Sequence, residues 1–362
     1  MNDGNAGILN NHSVFDNLTH TLLYEGYDLY PYHRSAIKNQ KPVPFGVVFP
    51  VDYNMHNVHA HSKMQTQCIV TGNDDSPINT TVRFLHLRKT ELFEAAASQV
   101  NAEPDFVPVN NVNVKGKFYQ AGWQTIERTI STGVLSIRQL IKNKEAILIE
   151  FDKMYHSEYL YDEGGEAAAK QINRLSEIKG KIVIEVAPVE RLENVFRITV
   201  TVINLTPVEN AERVTRDEVL TQCFLSTHTI LQTREAEFIS QQSPGEEWKT
   251  VISECQNINT WPILLDESNT TLLSSPIILY DYPQINPLSK GDLFDSTEIE
   301  EALLLHVALL SDDEKAQIAQ SDEKLHAMLD KVSQVTPEEL INFHSGLKEN
   351  IDHQINNEKS GL

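Results

Sequence analysis

The run Phe196-Arg197-Ile198-Thr199-Val200-Thr201-Val202 alternates apolar and polar residues without a break. Side chains alternate faces along a strand, so Phe196, Ile198, Val200 and Val202 share one face and Arg197, Thr199 and Thr201 the other. A second run, Lys181 to Ala187, precedes it across a polar turn holding Glu190, Glu193 and Asn194. Together they predict an antiparallel hairpin with one buried face. Asn204-Leu205-Thr206-Pro207 ends the second strand, because Pro donates nothing to a ladder. Such a hairpin must bury its apolar face against another layer.

Other stretches extend the β content. Met64 to Val70 and Thr80 to Leu87 flank Gly72-Asn73-Asp74-Asp75, which predicts another hairpin. Strand character is also expected from Leu22 onward, in the short apolar run Phe45 to Pro50, and at Ile147 to Phe151, Leu220 to Leu231, Trp261 to Leu265 and Pro276 to Tyr280. Residues 101–118, rich in Asn, Val and Pro, suggest a loop or an irregular edge strand. Ile126, Ile130, Ile137 and Ile141 recur at helical spacing and predict a helix over Trp123 to Ile141, bent or split at Gly133. Shorter helices are expected at Ala167 to Leu175 and at Glu246 to Glu254. Beyond Ile299 the pattern is helical, with capping signals at Ser311-Asp312-Asp313-Glu314 and Thr336-Pro337-Glu338-Glu339. The fold class expected is therefore α+β: a mostly antiparallel, sandwich-like β body with a helical C-terminal segment. Residues 1–20 are expected to be a flexible lead-in, 21–290 the β-rich body with a possible internal split near 119–180, and 291–362 a helical acidic segment.

Charge narrows the partners. The 362 residues hold 51 Asp and Glu against 30 Lys and Arg, a formal net charge of -21. That balance repels phosphate backbones and anionic lipid, so no nucleic-acid partner is expected. No apolar run is long enough to span a membrane, and the N-terminus lacks a basic start and an apolar stretch of secretory type. Three scattered cysteines, Cys68, Cys223 and Cys255, form no CxxC and fit a reducing cytoplasm. Cys223, in an apolar stretch, is expected to be a small core residue.

The familiar phosphate-binding, nucleophile-elbow and zinc-protease motifs are absent from the sequence. Three weaker constellations remain. His56, His59 and His61, with Asp52 upstream, offer imidazoles in a stretch expected to be a polar loop. They suit nickel or zinc, but three mobile nitrogen ligands predict micromolar binding at best, and no cofactor is expected. Ser226-Thr227-His228 lies in an expected strand, where Ser226 and His228 would face one side, without an assignable carboxylate. The third pairs two remote segments. Four of the 11 tyrosines fall between Tyr24 and Tyr32, followed by Arg34 and Lys38. Asp281, Tyr282, Asp292, Asp295 and Glu298 form the opposite pole. Complementary charge predicts that the segments meet, either as a structural clasp or as a binding surface built from Tyr30, Tyr32, Arg34, Lys38, Asp281, Tyr282, Asp295 and Glu298.

These same segments resemble a known family. Leu23-Tyr24-Glu25-Gly26-Tyr27, Leu29-Tyr30-Pro31-Tyr32, Arg34-Ser35-Ala36 and Phe45-Gly46-Val47 are similar to the opening of uncharacterised bacterial proteins encoded beside high-affinity nickel-iron uptake hydrogenases and their maturation factors. Met64 to Cys68, Val82 to Leu87, Ser226-Thr227-His228, Ser275 to Pro283 and Gly291 to Asp295 continue the likeness, which spans Leu22 to about Leu347. The histidines at 56, 59 and 61 are not part of it. The resemblance implies a non-catalytic accessory protein in hydrogenase assembly or operation, with a hydrogenase subunit or maturation factor as partner. The acidic stretch 291–330, with eleven Asp or Glu and two Lys, would be part of the contact. Two alternatives stand beside it: an enzyme with a pocket around Tyr32, Arg34, His228 and Asp281, in which His228 and Asp281 would be catalytic, or a metal carrier using the three histidines.

Overall fold

The computed structural model describes Thr19, Leu22, Leu23 and residues 45–96, 105–190 and 192–283. In chain order the strands are β1 (Lys63–Gly72), β2 (Pro77–Ala95), β3 (Phe106–Val109), β4 (Asn111–Val114), β5 (Lys117–Gln120), β6 (Gly122–Ser136), β7 (Glu145–Phe151) and β8 (Met154–Tyr161). They continue as β9 (Ala167–Leu175), β10 (Ile178–Pro188), β11 (Val195–Asn204), β12 (Leu225–Thr233), β13 (Ala236–Phe238), β14 (Trp261–Leu264) and β15 (Thr271–Ser275). Short helices among the described residues include α1 (Val51–His56), α2 (Ile137–Lys142), α3 (Arg216–Val219) and α4 (Lys249–Ser253).

Two antiparallel sheets carry the body. One runs β13-β1-β11-β10-β7; the other runs β14-β15-β12-β2-β9-β8, with β3 and β6 also paired to β2. A continuous core lies between them. It joins Met64, Cys68, Ile182, Ile198, Val200 and Val202 from the first sheet to Ile78, Val82, Phe84, Leu231 and Leu272 from the second. The fold is a mostly antiparallel, β-rich sandwich, as the sequence predicts. The hairpin of β10 and β11 forms as expected, with Ile182 opposite Val202 and Ile184 opposite Val200. Phe196, Ile198, Val200 and Val202 are buried together.

Several local expectations are corrected. β1 and β2 are not a hairpin: β1 pairs with β11 and β13, while β2 pairs with β12, β6, β9 and β3. The polar turn is real, but it is a corner between sheets. Its groups are taken by distant chain, Ser76 Oγ donating to Glu235 O at 3.0 Å and Arg138 N donating to Asp74 O at 2.7 Å. Most of 123–141 is strand β6, and only 137–142 is helical. A spacing of four satisfies period two as well, and Thr125, Thr129, Thr132 and Val134 favour a pleated surface. Gly133 sits at φ 70°, near the register shift between Asn79 and Thr81. Ala167–Leu175 is strand β9, held between β2 and β8, where pairing on both sides overrides alanine's helix preference. β15 ends at Ser275, and residues 276–280 are irregular. Leu220–Gln222 is a single 3₁₀ turn before β12, Leu22 and Leu23 are helical, and His56 closes α1 rather than lying in a loop. The segment 291–362, expected to be helical, and residues 1–18 of the expected lead-in lie outside the described residues.

Candidate functional site

His228 lies at a break in β12. The β12–β2 register shifts between Leu225 and His228, and Ser226 adopts a left-handed φ of 48°. The bulge is stitched to the segment ahead of α1: Ser226 N donates to Phe45 O at 2.9 Å and Thr227 N to Gly46 O at 3.1 Å. Gly46 is itself at φ 50°, and an added Cβ would meet Pro276 at 2.6 Å. Because the backbone turns over here, it is the Ser226 carbonyl, not its hydroxyl, that reaches the imidazole.

The hydrogen bonds fix the ring. Nδ1 lies 2.8 Å from Ser226 O, which can only accept, so Nδ1 carries the proton. Nε2 is then the acceptor for the Ser275 hydroxyl at 3.3 Å. Ser275 Oγ in turn accepts from Ile277 N at 3.1 Å. Burial pushes the His228 pKa down to about 4, with Arg83 adding to the effect and the Ser226 carbonyl opposing it. The imidazole is therefore neutral near pH 7. Arg83 is held by Glu127, at 2.9 Å from Nε and 2.5 Å from Nη2, and donates to Thr19 Oγ1 at 2.7 Å. Serine, imidazole and an orienting acceptor have the order of a nucleophile–base pair. Both side chains are closed to solvent, and the orienting group is a carbonyl rather than a carboxylate. This node joins β12, β15 and the segment before α1.

Asp281 and Tyr282 also have structural partners. Asp281 Oδ1 accepts from Leu264 N at 2.8 Å and Oδ2 from Ser240 Oγ at 2.5 Å. Tyr282 donates its hydroxyl to Asn269 Oδ1 at 2.8 Å and its backbone N–H to Leu264 O at 2.7 Å. The two residues pin the irregular tail of β15 onto β14. Among the described residues no hydrogen bond links this latch to His228. Tyr30, Tyr32, Arg34, Lys38, Asp295 and Glu298 lie outside the described residues, and with them the expected meeting of the two end segments.

His56, His59 and His61 are exposed around the end of α1. Among the described residues no three His, Cys, Asp or Glu side chains stand close enough together to hold a metal ion. Asp52, the upstream carboxylate, accepts from Val208 N at 3.1 Å. Cys68 and Cys223 are buried, and burial pushes their thiols well above the usual range. Cys223 is the core residue expected.

One surface was not foreseen. β8 closes one end of the larger sheet, and Tyr155, Tyr159 and Tyr161 project from it at 58%, 46% and 50% exposure. Their odd numbering puts them on one face. The Arg174 guanidinium lies 4.8 Å from the Tyr155 ring centroid and the Lys170 ammonium 5.5 Å from that of Tyr159. Phe106 packs on Tyr159 at 5.5 Å. The signal was present in Tyr155-His156-Ser157-Glu158-Tyr159-Leu160-Tyr161, which holds three tyrosines at odd positions.

No protein-family profile matches the chain, and no curated protein matches it significantly.

Proposed function

We propose that this protein is a non-catalytic interaction protein serving nickel-iron hydrogenase assembly or operation in the cytoplasm, and that its β8 edge receives an extended segment of the partner. The observation that carries the reading is the exposed tyrosine face on an end strand. Among the described residues β8 pairs only with β9, so its other edge offers unpaired backbone groups. A partner strand added there gains main-chain hydrogen bonds, while the tyrosines supply area at low entropic cost. Tyr is also among the residues that dominate binding energy at protein interfaces. The hydrogenase setting rests on the family resemblance, and it names the partners to try: a hydrogenase subunit or a maturation factor. The acidic stretch 291–330, outside the described residues, would steer a basic surface of that partner. Among the described residues no helix is long and apolar enough to cross a membrane.

The test is co-expression with each hydrogenase subunit and maturation factor in turn, followed by affinity capture. One of them is expected to bind the wild type. The double variant Tyr155→Ala with Tyr159→Ala, and the edge-blocking Ser157→Pro, should each weaken capture by about tenfold or more. Failure of every candidate to bind, or capture untouched by both changes, would defeat the proposal.

A further inference from the structure

β2 and β6 bring together a buried histidine and two arginines that meet no carboxylate among the described residues. Phe84, His86 and Arg88 alternate with Arg83, Leu85 and Leu87, so they share the face on which Phe84 enters the inter-sheet core. β6 sets Arg128, Ile126 and Gln124 directly opposite those three. Directly opposed residues project to the same side. His86, Arg88, Arg128 and Gln124 are thereby gathered on one face. The place is where β12 stops pairing with β2, at Leu225 with Leu85, and β9 begins, at Leu175 with Arg88.

Among the described residues four buried polar atoms there have no hydrogen-bond partner: both ring nitrogens of His86, Nε of Arg88 and Nε of Arg128. Backbone of Ser176 and Thr221 lies beside the His86 ring but outside hydrogen-bond geometry. Arg88 is hydrogen-bonded to Gln124 Oε1, and the Arg128 guanidinium lies 4.1 Å from the Phe151 ring centroid. Among the described residues neither arginine is ion-paired, whereas Arg83, Arg138, Arg174 and Arg197 each face a carboxylate. Acid is not scarce in this chain, with 51 Asp and Glu. Buried donors left open cost about 1–3 kcal/mol each, and neighbouring positive charges add repulsion. Arginine keeps its charge through any burial seen here, so the site cannot relax by losing protons.

We infer that His86, Arg88, Arg128 and Gln124 form a binding site for a small oxyanion, a carboxylate or phosphate group. Guanidinium forks match the spacing of such oxygens and donate two parallel hydrogen bonds. Arg88 and Arg128 remain partly exposed and are the reachable donors, while the fully buried His86 forms the floor. Phe151 and the backbone at Ser176 and Thr221 shape the walls.

The experiment is thermal denaturation and titration calorimetry of the full chain in sodium phosphate, sodium succinate and sodium chloride at matched ionic strength. Inorganic phosphate or succinate is expected to raise the melting temperature beyond chloride in a saturable way. The arm that responds distinguishes a phosphate-bearing ligand from a carboxylate. Arg88→Gln and Arg128→Gln should each weaken binding by about tenfold or more. Arg174→Gln, whose native partner is Glu91, should leave it intact. The inference is overturned if neither anion exceeds chloride, or if the shift survives in both variants. It is overturned equally if neither variant folds, since the arginines would then serve the fold.

Discussion

His228 and His86 are both sealed from solvent, at 1% and 0% exposure, and burial presses both pKa values down to about 4. Their surroundings differ. His228 has a partner on each ring nitrogen, and its neighbouring Arg83 is tied to Glu127. Among the described residues His86 has a hydrogen-bond partner on neither, and its neighbour Arg128 has no carboxylate. Folding satisfies buried polar groups almost everywhere, so a satisfied node reads as construction and an unsatisfied one as a place kept for something else. The residue that sequence reasoning singled out, His228, belongs to the first kind. The residue it passed over belongs to the second.

Acid gives the largest effect and tests what the two histidines share. Each is neutral when folded, with a pKa of about 4 against 6.5 when unfolded. The unfolded chain therefore binds more protons below about pH 6.5. Stability from these groups is complete above that pH and is lost as pH falls toward about 4, by roughly 3 kcal/mol per histidine. Urea unfolding between pH 7 and 4.5 should show the fall, and His86→Leu should make it smaller by roughly 2–3 kcal/mol. An unchanged slope would mean that His86 is not held neutral.

Replacement separates the two sites next. His228→Ala strands the Ser226 carbonyl and the Ser275 hydroxyl in a closed interior and should cost about 3 kcal/mol. His86→Leu breaks no hydrogen bond of good geometry among the described residues and should change stability by less than about 1 kcal/mol in either direction. Equal losses in urea melts at pH 7 would erase the distinction. The smallest contrast is between arginines. Arg83→Met leaves Glu127 without its ion pair in a partly buried setting and should cost about 2 kcal/mol, while Arg128→Met, removing a charge that meets no carboxylate among the described residues, should be neutral or stabilising by about 1 kcal/mol. A large loss at Arg128 would mark it as structural.

The sequence reveals this fold wherever one face of a strand is buried and the other wet. Phe196 to Val202 is such a strand, and its alternation predicts both the hairpin and the buried set. β6 and β9 carry no comparable signal. Ile126 and Ile130 fit either period, and Ala167-Ala168-Ala169 has no strand preference until β2 and β8 flank it. The turn at Asn73 to Ser76 predicts a reversal but not which strands pair after it. For the sites, Ser226 and His228 stand out in the sequence, yet Ser275 reaches the ring only through the β12–β15 pairing. Arg128 joins His86 only once the β2–β6 register is known. Partners set by register leave no local trace.

The corner between β1 and β2 also has a bearing on how the chain comes off the ribosome. Met64 must wait for Val202, and Val70 for Phe196, before β1 has any neighbour in its own sheet, and its other edge waits for Phe238. Through most of synthesis an apolar strand, Met64 to Val70, has no ladder, although its continuation β2 can already zip against β6. Closing such distant contacts is entropically slow, on the order of milliseconds to seconds even for smaller all-β domains. The first sheet is thus completed late, and until then β1 is a sticky edge that invites chaperones or misassociation with other nascent chains.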